Sequence, residues 1–209
     1  MVNPTVSTAN SKLGKQIASV NLPAGITCRP DAPCRNGCYA LKGRFMFKST
    51  RACHERNLQS FFDDKENYFN YIAGRCSLER YAHFRWHSSG DIVNDDYLAG
   101  IVRVAAAASE TKFLCFTKKY ELVNNFIAKG GKIPENLTIV FSCWGDFVPD
   151  NPYDLPTSYA RFNKVSSIDS DENIPDDAVE CKGSCKDCVH TEMNCWNLKN
   201  GQSVVFNKH

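Results

Sequence analysis

Three cysteines, Cys28, Cys34 and Cys38, lie within the eleven-residue stretch CRPDAPCRNGC. The proline and glycine residues between them favour a loop that turns around a common centre. Three thiolates on one loop suit a cuboidal iron–sulfur cluster whose fourth iron is open to a small molecule, because a structural zinc site takes four protein ligands. The alternative is that one or two of these cysteines are simply buried thiols.

A second group of cysteines, Cys181, Cys185, Cys188 and Cys195, has the spacing C-x3-C-x2-C-x6-C. Four thiolates saturate a metal, so this group predicts a closed structural site for zinc or for a second iron–sulfur cluster. The segment has few large apolar residues and is expected to need its metal in order to fold. His190 lies in the same segment, either as a substitute ligand or as an exposed residue.

The remaining cysteines, Cys53, Cys76, Cys115 and Cys143, fall in helix or strand patterns and are expected to be core thiols. An odd total of eleven cysteines, with no apolar leader in MVNPTVSTANSKLGKQ, predicts a cytoplasmic protein with reduced thiols. No apolar run approaches the ~20 residues of a membrane span. A net charge of +2 does not indicate a nucleic-acid partner.

Segments that favour strands alternate with segments that favour helices along the chain. This order predicts an α/β fold, a partial (βα) barrel of about five or six mainly parallel strands. We expect this barrel, with the first cysteine loop, to span residues 1–178, and a Cys-rich metal-binding segment with the last strand to span 179–209. Two helices, or one broken helix, are predicted before the segment YAHFRW, with Asp63 and Asp64 as capping residues at the break. The later predicted strands are KFLCFT, NLTIVFSC, SYARFNKVSSI and QSVVFN.

Two polar residues lie at the carboxyl ends of predicted strands, at the edge where α/β folds place ligand contacts. Lys118 is suited to pair with a carboxylate, and Ser142 with a ribose hydroxyl, although such residues also occur at strand ends for solubility. In YAHFRWH, Arg85 and His87 alternate with Phe84 and Trp86. Either pair faces the ligand side of the sheet, and the pattern leaves both arrangements open.

The motifs CYALKGRF, RWHSSGD and FTKK, with SKLGKQ, NLPAGITC, the second cysteine group and the terminal His209, carry a resemblance. The chain resembles the radical S-adenosylmethionine superfamily, and more closely the gene product 88 family of phages and mobile elements. The resemblance implies that Cys28, Cys34 and Cys38 hold a 4Fe-4S cluster whose open iron chelates S-adenosylmethionine. In this sequence the cysteine gaps are longer than in the superfamily, and Tyr39 follows the last cysteine rather than preceding it.

The resemblance also implies a cofactor-binding set. The turn Ser88, Ser89, Gly90 and Asp91 stands where the superfamily has a Gly-Gly-Glu-like turn, and Asp91 would supply the carboxylate for the methionine ammonium. The alternative is an ordinary turn in which Asp91 caps the next helix. The complete set comprises Tyr39, Ser88, Ser89, Gly90, Asp91, Lys118 and Ser142.

Three functions follow from these observations. The first is a radical S-adenosylmethionine-type enzyme with an external electron donor and an unidentified substrate, whose specificity lies in loops such as residues 143–157. The second is a non-catalytic iron–sulfur or zinc protein that binds a host protein or nucleic acid in the host cytoplasm. A fourth ligand such as Cys53 or His54 would favour the second function. The third, a zinc hydrolase or nuclease, is disfavoured because catalytic zinc sites use histidine or carboxylate ligands and an open water position.

Overall fold

The computed structural model describes residues 2–8, 10, 12–161 and 173–207. Within them, seven parallel strands form one sheet in the order β1-β2-β3-β4-β5-β7-β6. The strands are β1 (Ile17–Val20), β2 (His83–Trp86), β3 (Lys112–Thr117), β4 (Leu137–Ser142), β5 (Thr157–Arg161), β6 (Val179–Glu180) and β7 (Ser203–Asn207). The described α-helices are α1 (Lys48–Asp63), α2 (Lys65–Glu79), α3 (Asp95–Ala107), α4 (Tyr120–Ala128) and α5 (Cys185–Cys188).

The predicted α/β class and the parallel sheet are confirmed, and the sheet has more strands than the five or six expected. The first five strands lie side by side in chain order, as in the winding of (βα) barrels. In the part of the chain that is described, β1 and β6 are the two edge strands of an open sheet. The curvature of a partial barrel stays a prediction.

Side chains from alternate strand positions build two separate cores. On the first face, Phe84 and Trp86 of β2 join a cluster with residues of α1, α2, α3 and α4. The Trp86 ring lies 6.3 Å from Phe69 of α2 and 6.2 Å from Tyr97 of α3, between ring centroids. Because successive side chains of a strand point to opposite faces, Arg85 and His87 are left for the other side of the sheet or its end.

The C-terminal segment covers the second face. Buried side chains of β3, β4 and β7 pack there against Trp196 and Leu198. The Trp196 indole Nε1–H donates to the Phe84 carbonyl oxygen at 3.1 Å, and the Thr138 hydroxyl donates to the Trp196 carbonyl oxygen at 2.9 Å. This segment therefore takes the place that further helices occupy in a sheet covered by helices on both faces.

Asparagine and aspartate side chains begin two of the helices. The carboxylate of Asp64 accepts the Asn67 backbone N–H at 3.0 Å before α2, as predicted. The side chain of Asn94 accepts the Tyr97 backbone N–H at 3.0 Å before α3. The helix after the SSGD turn is thus capped by Asn94, and Asp91 is available for another role.

Some features lie outside the sequence-based expectations. The two-residue strand β6 and the four-residue helix α5 lie in the Cys-rich segment, which has no helical or strand periodicity. Only residues 158–161 of the predicted SYARFNKVSSI strand are seen, as part of β5, and its residues 162–168, like His209, lie outside the described part of the chain. The division at residue 178 stays a prediction, with β6 and β7 completing the same sheet. No helix among the described residues is long and apolar enough to cross a membrane.

Candidate functional site

A cavity of about 220 Å³ lies where the carboxyl ends of the strands meet the second face of the sheet. Its wall is formed by the first cysteine loop, the SSGD turn after β2, the ends of β3 and β4, and the C-terminal segment. All seven residues of the predicted cofactor-binding set line it. So do six of the seven predicted metal-binding cysteines: Cys28, Cys34, Cys38, Cys181, Cys185 and Cys195.

The N-terminal thiol set, Cys28, Cys34 and Cys38, is partly buried on one side of this cavity. Cys34 lies in a short 3-10 turn, Pro33–Gly37, and Cys38 follows it in extended backbone. Burial raises the pKa of the Cys28 and Cys34 thiols, and the neighbouring thiols of the set add to the effect. A bound cation reverses this preference, because metal binding deprotonates a coordinating thiol.

One arginine fastens the N-terminal thiol set to the rest of the site. The Arg29 guanidinium forms ion pairs with Asp31 at 2.8 Å and Glu121 at 3.1 Å. It also donates to the Lys118 carbonyl oxygen at 3.2 Å, and its Cζ lies 5.1 Å from the centroid of the Phe147 ring. The residue next to Cys28 thereby ties the cysteine loop to the end of β3 and the start of α4.

The C-terminal thiol set, Cys181, Cys185, Cys188 and Cys195, approaches the cavity from the segment that covers the second face. The backbone N–H of Cys181 donates to the Val205 carbonyl oxygen at 2.7 Å, which extends the pairing of β6 with β7. Burial raises the pKa of Cys195 to about 12 and also raises the pKa of Cys188. Cys188 is the one member of this set that does not line the cavity.

Metal-binding geometry differs between a single ion and a cluster. Among the described residues, no group of three or more cysteine, histidine, aspartate or glutamate side chains is arranged to hold one metal ion. A tetrahedral zinc site needs its thiolates close around one point. A cuboidal cluster accepts a wider spread, because each thiolate binds a different iron. The N-terminal thiol set fits such a cluster by donor type, by number and by its place on a cavity wall.

The SSGD turn is hydrogen-bonded to the backbone that leads to Cys28. The Ser89 hydroxyl donates to the Leu22 carbonyl oxygen at 2.9 Å, and the Leu22 N–H donates back to the Ser89 carbonyl oxygen at 2.9 Å. Gly90 has φ +85° and lies against Thr27 and Leu22. The turn therefore sets the position of the first cysteine loop, in addition to lining the cavity.

Asp91 is almost completely buried at the cavity wall. One carboxylate oxygen, Oδ1, accepts from the Thr117 hydroxyl at 2.6 Å and the Ile92 N–H at 2.7 Å, and Oδ2 accepts from the Lys118 N–H at 3.0 Å. Burial raises the pKa of Asp91, while these donors oppose the rise. An ionised carboxylate offers about four acceptor positions, so Oδ2 retains capacity for one further donor.

Lys118 and Ser142 contact each other. The Lys118 ammonium donates to the Ser142 hydroxyl at 2.7 Å and lies 5.9 Å from the centroid of the Trp144 ring. Elsewhere on the cavity wall, the Tyr39 hydroxyl donates to the Ser88 carbonyl oxygen at 2.7 Å. Lys118 and Ser142, which are predicted to contact different parts of a ligand, are thus joined at the carboxyl ends of β3 and β4.

The structure shows which side chains at β2 face the cavity. Arg85 and His87 line the cavity, whereas Phe84 and Trp86 pack in the core of the first face. The sequence pattern identified the two pairs but could not orient them, because one residue of register decides which pair faces the ligand.

The other reactive side chains named from the sequence lie elsewhere. Cys76 and Cys115 are buried in the first core as expected, whereas Cys53 lies in α1 and is only partly buried, so the expectation of a core thiol is wrong for it. His54, a possible fourth ligand by sequence, packs against the Phe45 ring with centroids 6.2 Å apart. His190 Nε2 lies 3.1 Å from the side-chain nitrogen of Gln16. None of these residues lines the cavity, and neither does Cys143.

The family model described as gene product 88 matches residues 3–205, which is nearly the whole chain. No curated protein and no solved structure matches the chain.

Proposed function

The chain belongs to the gene product 88 family, and we propose that it is an iron–sulfur enzyme of the radical S-adenosylmethionine type. In this proposal Cys28, Cys34 and Cys38 hold a 4Fe-4S cluster with one open iron. The observation that carries the proposal is that these thiols and all seven residues of the predicted cofactor-binding set line one cavity. These residues come from sequence positions 28 to 142, and only the fold brings them together.

When bound, such a cluster supplies an electron and an open coordination position for a chelating ligand. The residues of the chain would bind and orient that ligand. The free acceptor capacity of Asp91 Oδ2 suits the ammonium of S-adenosylmethionine, since a charge-assisted hydrogen bond is stronger than a neutral one. The Lys118 ammonium, with two donors left after its bond to Ser142, suits a carboxylate or a ribose oxygen.

The reaction proposed is the one-electron reductive cleavage of S-adenosylmethionine to methionine and a 5'-deoxyadenosyl radical. That radical takes a hydrogen atom from the substrate and leaves as 5'-deoxyadenosine. The electron comes from an external reductant. All eleven cysteines are unpaired, which supports a reducing compartment such as the cytoplasm as the site of this chemistry.

The C-terminal thiol set is proposed to hold a closed structural metal, either zinc or a second cluster. Three of its thiols pack beside the core of the second face. A metal there would fasten the segment that carries Trp196 onto the sheet, which supports a structural role. Zinc would require the four thiols to draw together.

A second candidate is a metal-binding module without catalysis. The observation that favours it is the size of the cavity: about 220 Å³ is below the roughly 300–1,000 Å³ of pockets that enclose drug-sized ligands. A cavity of this size suits a cluster and a small ligand group more readily than a whole nucleoside cofactor with its substrate.

The test is reductive cleavage under anaerobic conditions. Reduced protein is incubated with S-adenosylmethionine, and 5'-deoxyadenosine is measured by liquid chromatography. We expect product from the unaltered protein and from Cys53→Ser, whose cysteine lies outside the cavity, and none from Cys34→Ser. Intact iron–sulfur protein that releases no 5'-deoxyadenosine with several reductants would establish the module in place of the enzyme. Colourless protein with stoichiometric zinc would overturn the iron–sulfur assignment itself.

A further inference from the structure

The wall of the cavity at the end of β2 carries unpaired polar atoms. Arg85 Nε, His87 Nδ1 and Ser88 Oγ are buried without a hydrogen-bond partner among the described residues, and all three residues line the cavity. Buried polar groups in folded proteins are almost always hydrogen-bonded, and exceptions point to a ligand, ion or water at the site. Residues 85–88 carry four such atoms, of which Trp86 Nε1 lies in the first core, and the other three belong to residues of the cavity wall. These three mark the wall as a place where a polar group could bind.

Arg85 brings a positive charge that no acidic residue neutralises in the described part of the chain. Arg29 and Arg103, by comparison, pair with carboxylates at 3.1 Å or less. The Arg85 Cζ lies 5.0 Å from the centroid of the Phe116 ring. That ring holds the guanidinium in place but does not accept its in-plane hydrogen bonds. A partly buried guanidinium without a counter-ion raises the free energy of the folded protein, and a bound anion would lower it.

The acidic residue on the same cavity, Asp91, forms no ion pair with Arg85 among the described residues. Both oxygens of Asp91 already accept hydrogen bonds, from Thr117, Ile92 and Lys118. The Lys118 ammonium is in turn engaged with Ser142. Arg85 is thus a cation of this wall with unused hydrogen-bonding capacity at Nε.

His87 supplies a neutral donor or acceptor beside this charge. Its Nε2 lies 3.1 Å from the Tyr97 hydroxyl, which lies 2.9 Å from the Tyr68 hydroxyl. One ring nitrogen is thereby occupied, and Nδ1 remains for a ligand. The backbone of His87 has φ +61°, a conformation that few non-glycine residues adopt. The chain keeps this strained conformation at the point where the side chain meets the cavity.

We propose that Arg85 and His87 form a binding site for an anionic group, a carboxylate or a phosphate, of the molecule that occupies the cavity. The planar guanidinium matches both groups through two parallel hydrogen bonds, and His87 Nδ1 adds a third contact. The proposal goes beyond the proposed function, because it names the chemical class of the ligand. It rests on the cavity alone and stands whichever metal the thiol sets hold.

The test uses the protein as purified under anaerobic conditions, with inorganic phosphate and acetate as probes. The midpoint of thermal unfolding is followed as each anion replaces chloride at constant ionic strength, and dissociation constants are taken from the shift. We expect Arg85→Met to weaken anion binding at least about tenfold, as the loss of a charge-assisted pair implies. Arg103→Met, which removes an exposed arginine paired with Glu66, is expected to bind as the unaltered protein does.

Two further variants keep the result decisive. Arg85→Lys retains the charge without the planar fork and is expected to bind more weakly than the unaltered protein but more tightly than Arg85→Met. His87→Asn, with a side chain tolerated at positive φ, is expected to weaken binding by about threefold. The anion with the larger shift identifies the class. Competition by saturating S-adenosylmethionine would assign the site to the carboxylate of that cofactor, and an undiminished response would assign it to the substrate.

Two results would overturn the proposal. The first is an unaltered protein that responds to neither anion. The second is Arg85→Met with the same anion response as the unaltered protein. If that variant also loses bound metal, Arg85 is instead a counter-charge for the thiolate of Cys195.

Discussion

His87 is kept uncharged by its surroundings. It is 3% exposed, and burial lowers its pKa from 6.5 to about 3, with the charges of Arg85 and Lys119 acting in the same direction. The imidazole is therefore neutral in the folded protein at neutral pH. A neutral ring can hydrogen-bond to Tyr97 and to a ligand without adding a second positive charge to the cavity.

This state makes the stability of the protein depend on pH. Below pH 6.5 His87 becomes protonated in the unfolded chain, whereas in the folded chain it stays neutral down to about pH 3. The stability contributed by the neutral ring is thus present above pH 6.5 and lost as the pH falls toward 3. His87 contributes up to about 1.4 kcal/mol of lost stability per pH unit in this range, and we expect His87→Asn to lack that contribution. Urea unfolding of both proteins across this range measures the difference, and identical pH profiles would contradict it.

Gly90 in the SSGD turn has a positive φ and also leaves no space for a Cβ. Gly130 shares only the positive φ, so a comparison of the two glycines distinguishes these effects. A Cβ added at Gly90 would lie 2.7 Å from Thr27 Oγ1 and 2.9 Å from the Leu22 carbonyl oxygen. Gly130 has a similar φ, +87° against +85°, but a Cβ added there would have nothing within 4 Å among the described residues.

Gly90→Ala and Gly130→Ala therefore share the backbone strain, and only the first also has the close contacts. We expect Gly90→Ala to lower the free energy of unfolding by about 1–3 kcal/mol more than Gly130→Ala does. Denaturant unfolding of the two variants measures this difference. Equal losses would show that the close contacts of Gly90 with Leu22 and Thr27, in the segment that leads to Cys28, do not contribute to stability.

Residue types and spacing single out the two cysteine groups, and the resemblance singles out the SSGD turn as a cofactor site. The turn and six of the seven cysteines line one cavity, and what they bind stays a prediction. Arg85 and His87 were recognised as a pair but not assigned, because their orientation depends on strand register. The bond between Lys118 and Ser142 was not predicted, since it joins the ends of two neighbouring strands.

At the scale of elements, the loops after the strands carry the site and the strands only position them. The loop after β1 is the longest case, and three 3-10 turns, Pro33–Gly37, Tyr39–Leu41 and Gly43–Met46, connect it to α1. Short turns of this kind do not hold their place by themselves. Arg29 supplies the attachment, through its contacts with Glu121 and the Lys118 carbonyl oxygen.

Removing that attachment should loosen the loop without unfolding the protein. We expect Arg29→Ala to lose bound iron at least several-fold faster than the unaltered protein, because the cysteine loop is then no longer attached to α4. The variant should stay folded, since the ion pairs of Arg29 are partly exposed and contribute little to overall stability. Arg51→Ala is the matched control, since Arg51 is 57% exposed and pairs with Glu55 at 4.0 Å. Iron retention is followed by absorbance during incubation with a chelator. Equal rates for both variants would contradict the role of Arg29.

The order of elements followed from sequence more closely than their exact extent. The predicted segment KFLCFT is β3 residue for residue, because its apolar run is bounded by turn signals. The helices predicted before YAHFRW are α1 and α2, and the first of them begins only at Lys48, because residues 43–46 form a 3-10 turn. The strand β6 was missed because two residues have no periodicity to detect.

At the scale of the whole molecule, the sheet is covered differently on its two faces. Helices α1 to α4 pack on one face around aromatic residues, and the C-terminal segment packs on the other through Trp196. Because that segment also carries the C-terminal thiol set, both cysteine groups reach the same cavity from opposite ends of the chain. This convergence could not be read from the sequence, where Cys38 and Cys181 are far apart.

The central claim is that the N-terminal thiol set holds an iron–sulfur cube. The most direct measurement is the iron and acid-labile sulfide content per chain of anaerobically purified protein, compared with the variant in which Cys28, Cys34 and Cys38 are all alanine. We predict that the variant has about four fewer iron and sulfide ions per chain, as a 4Fe-4S cluster requires, with its far-ultraviolet circular dichroism unchanged. Equal iron and sulfide contents in the two proteins would contradict the claim.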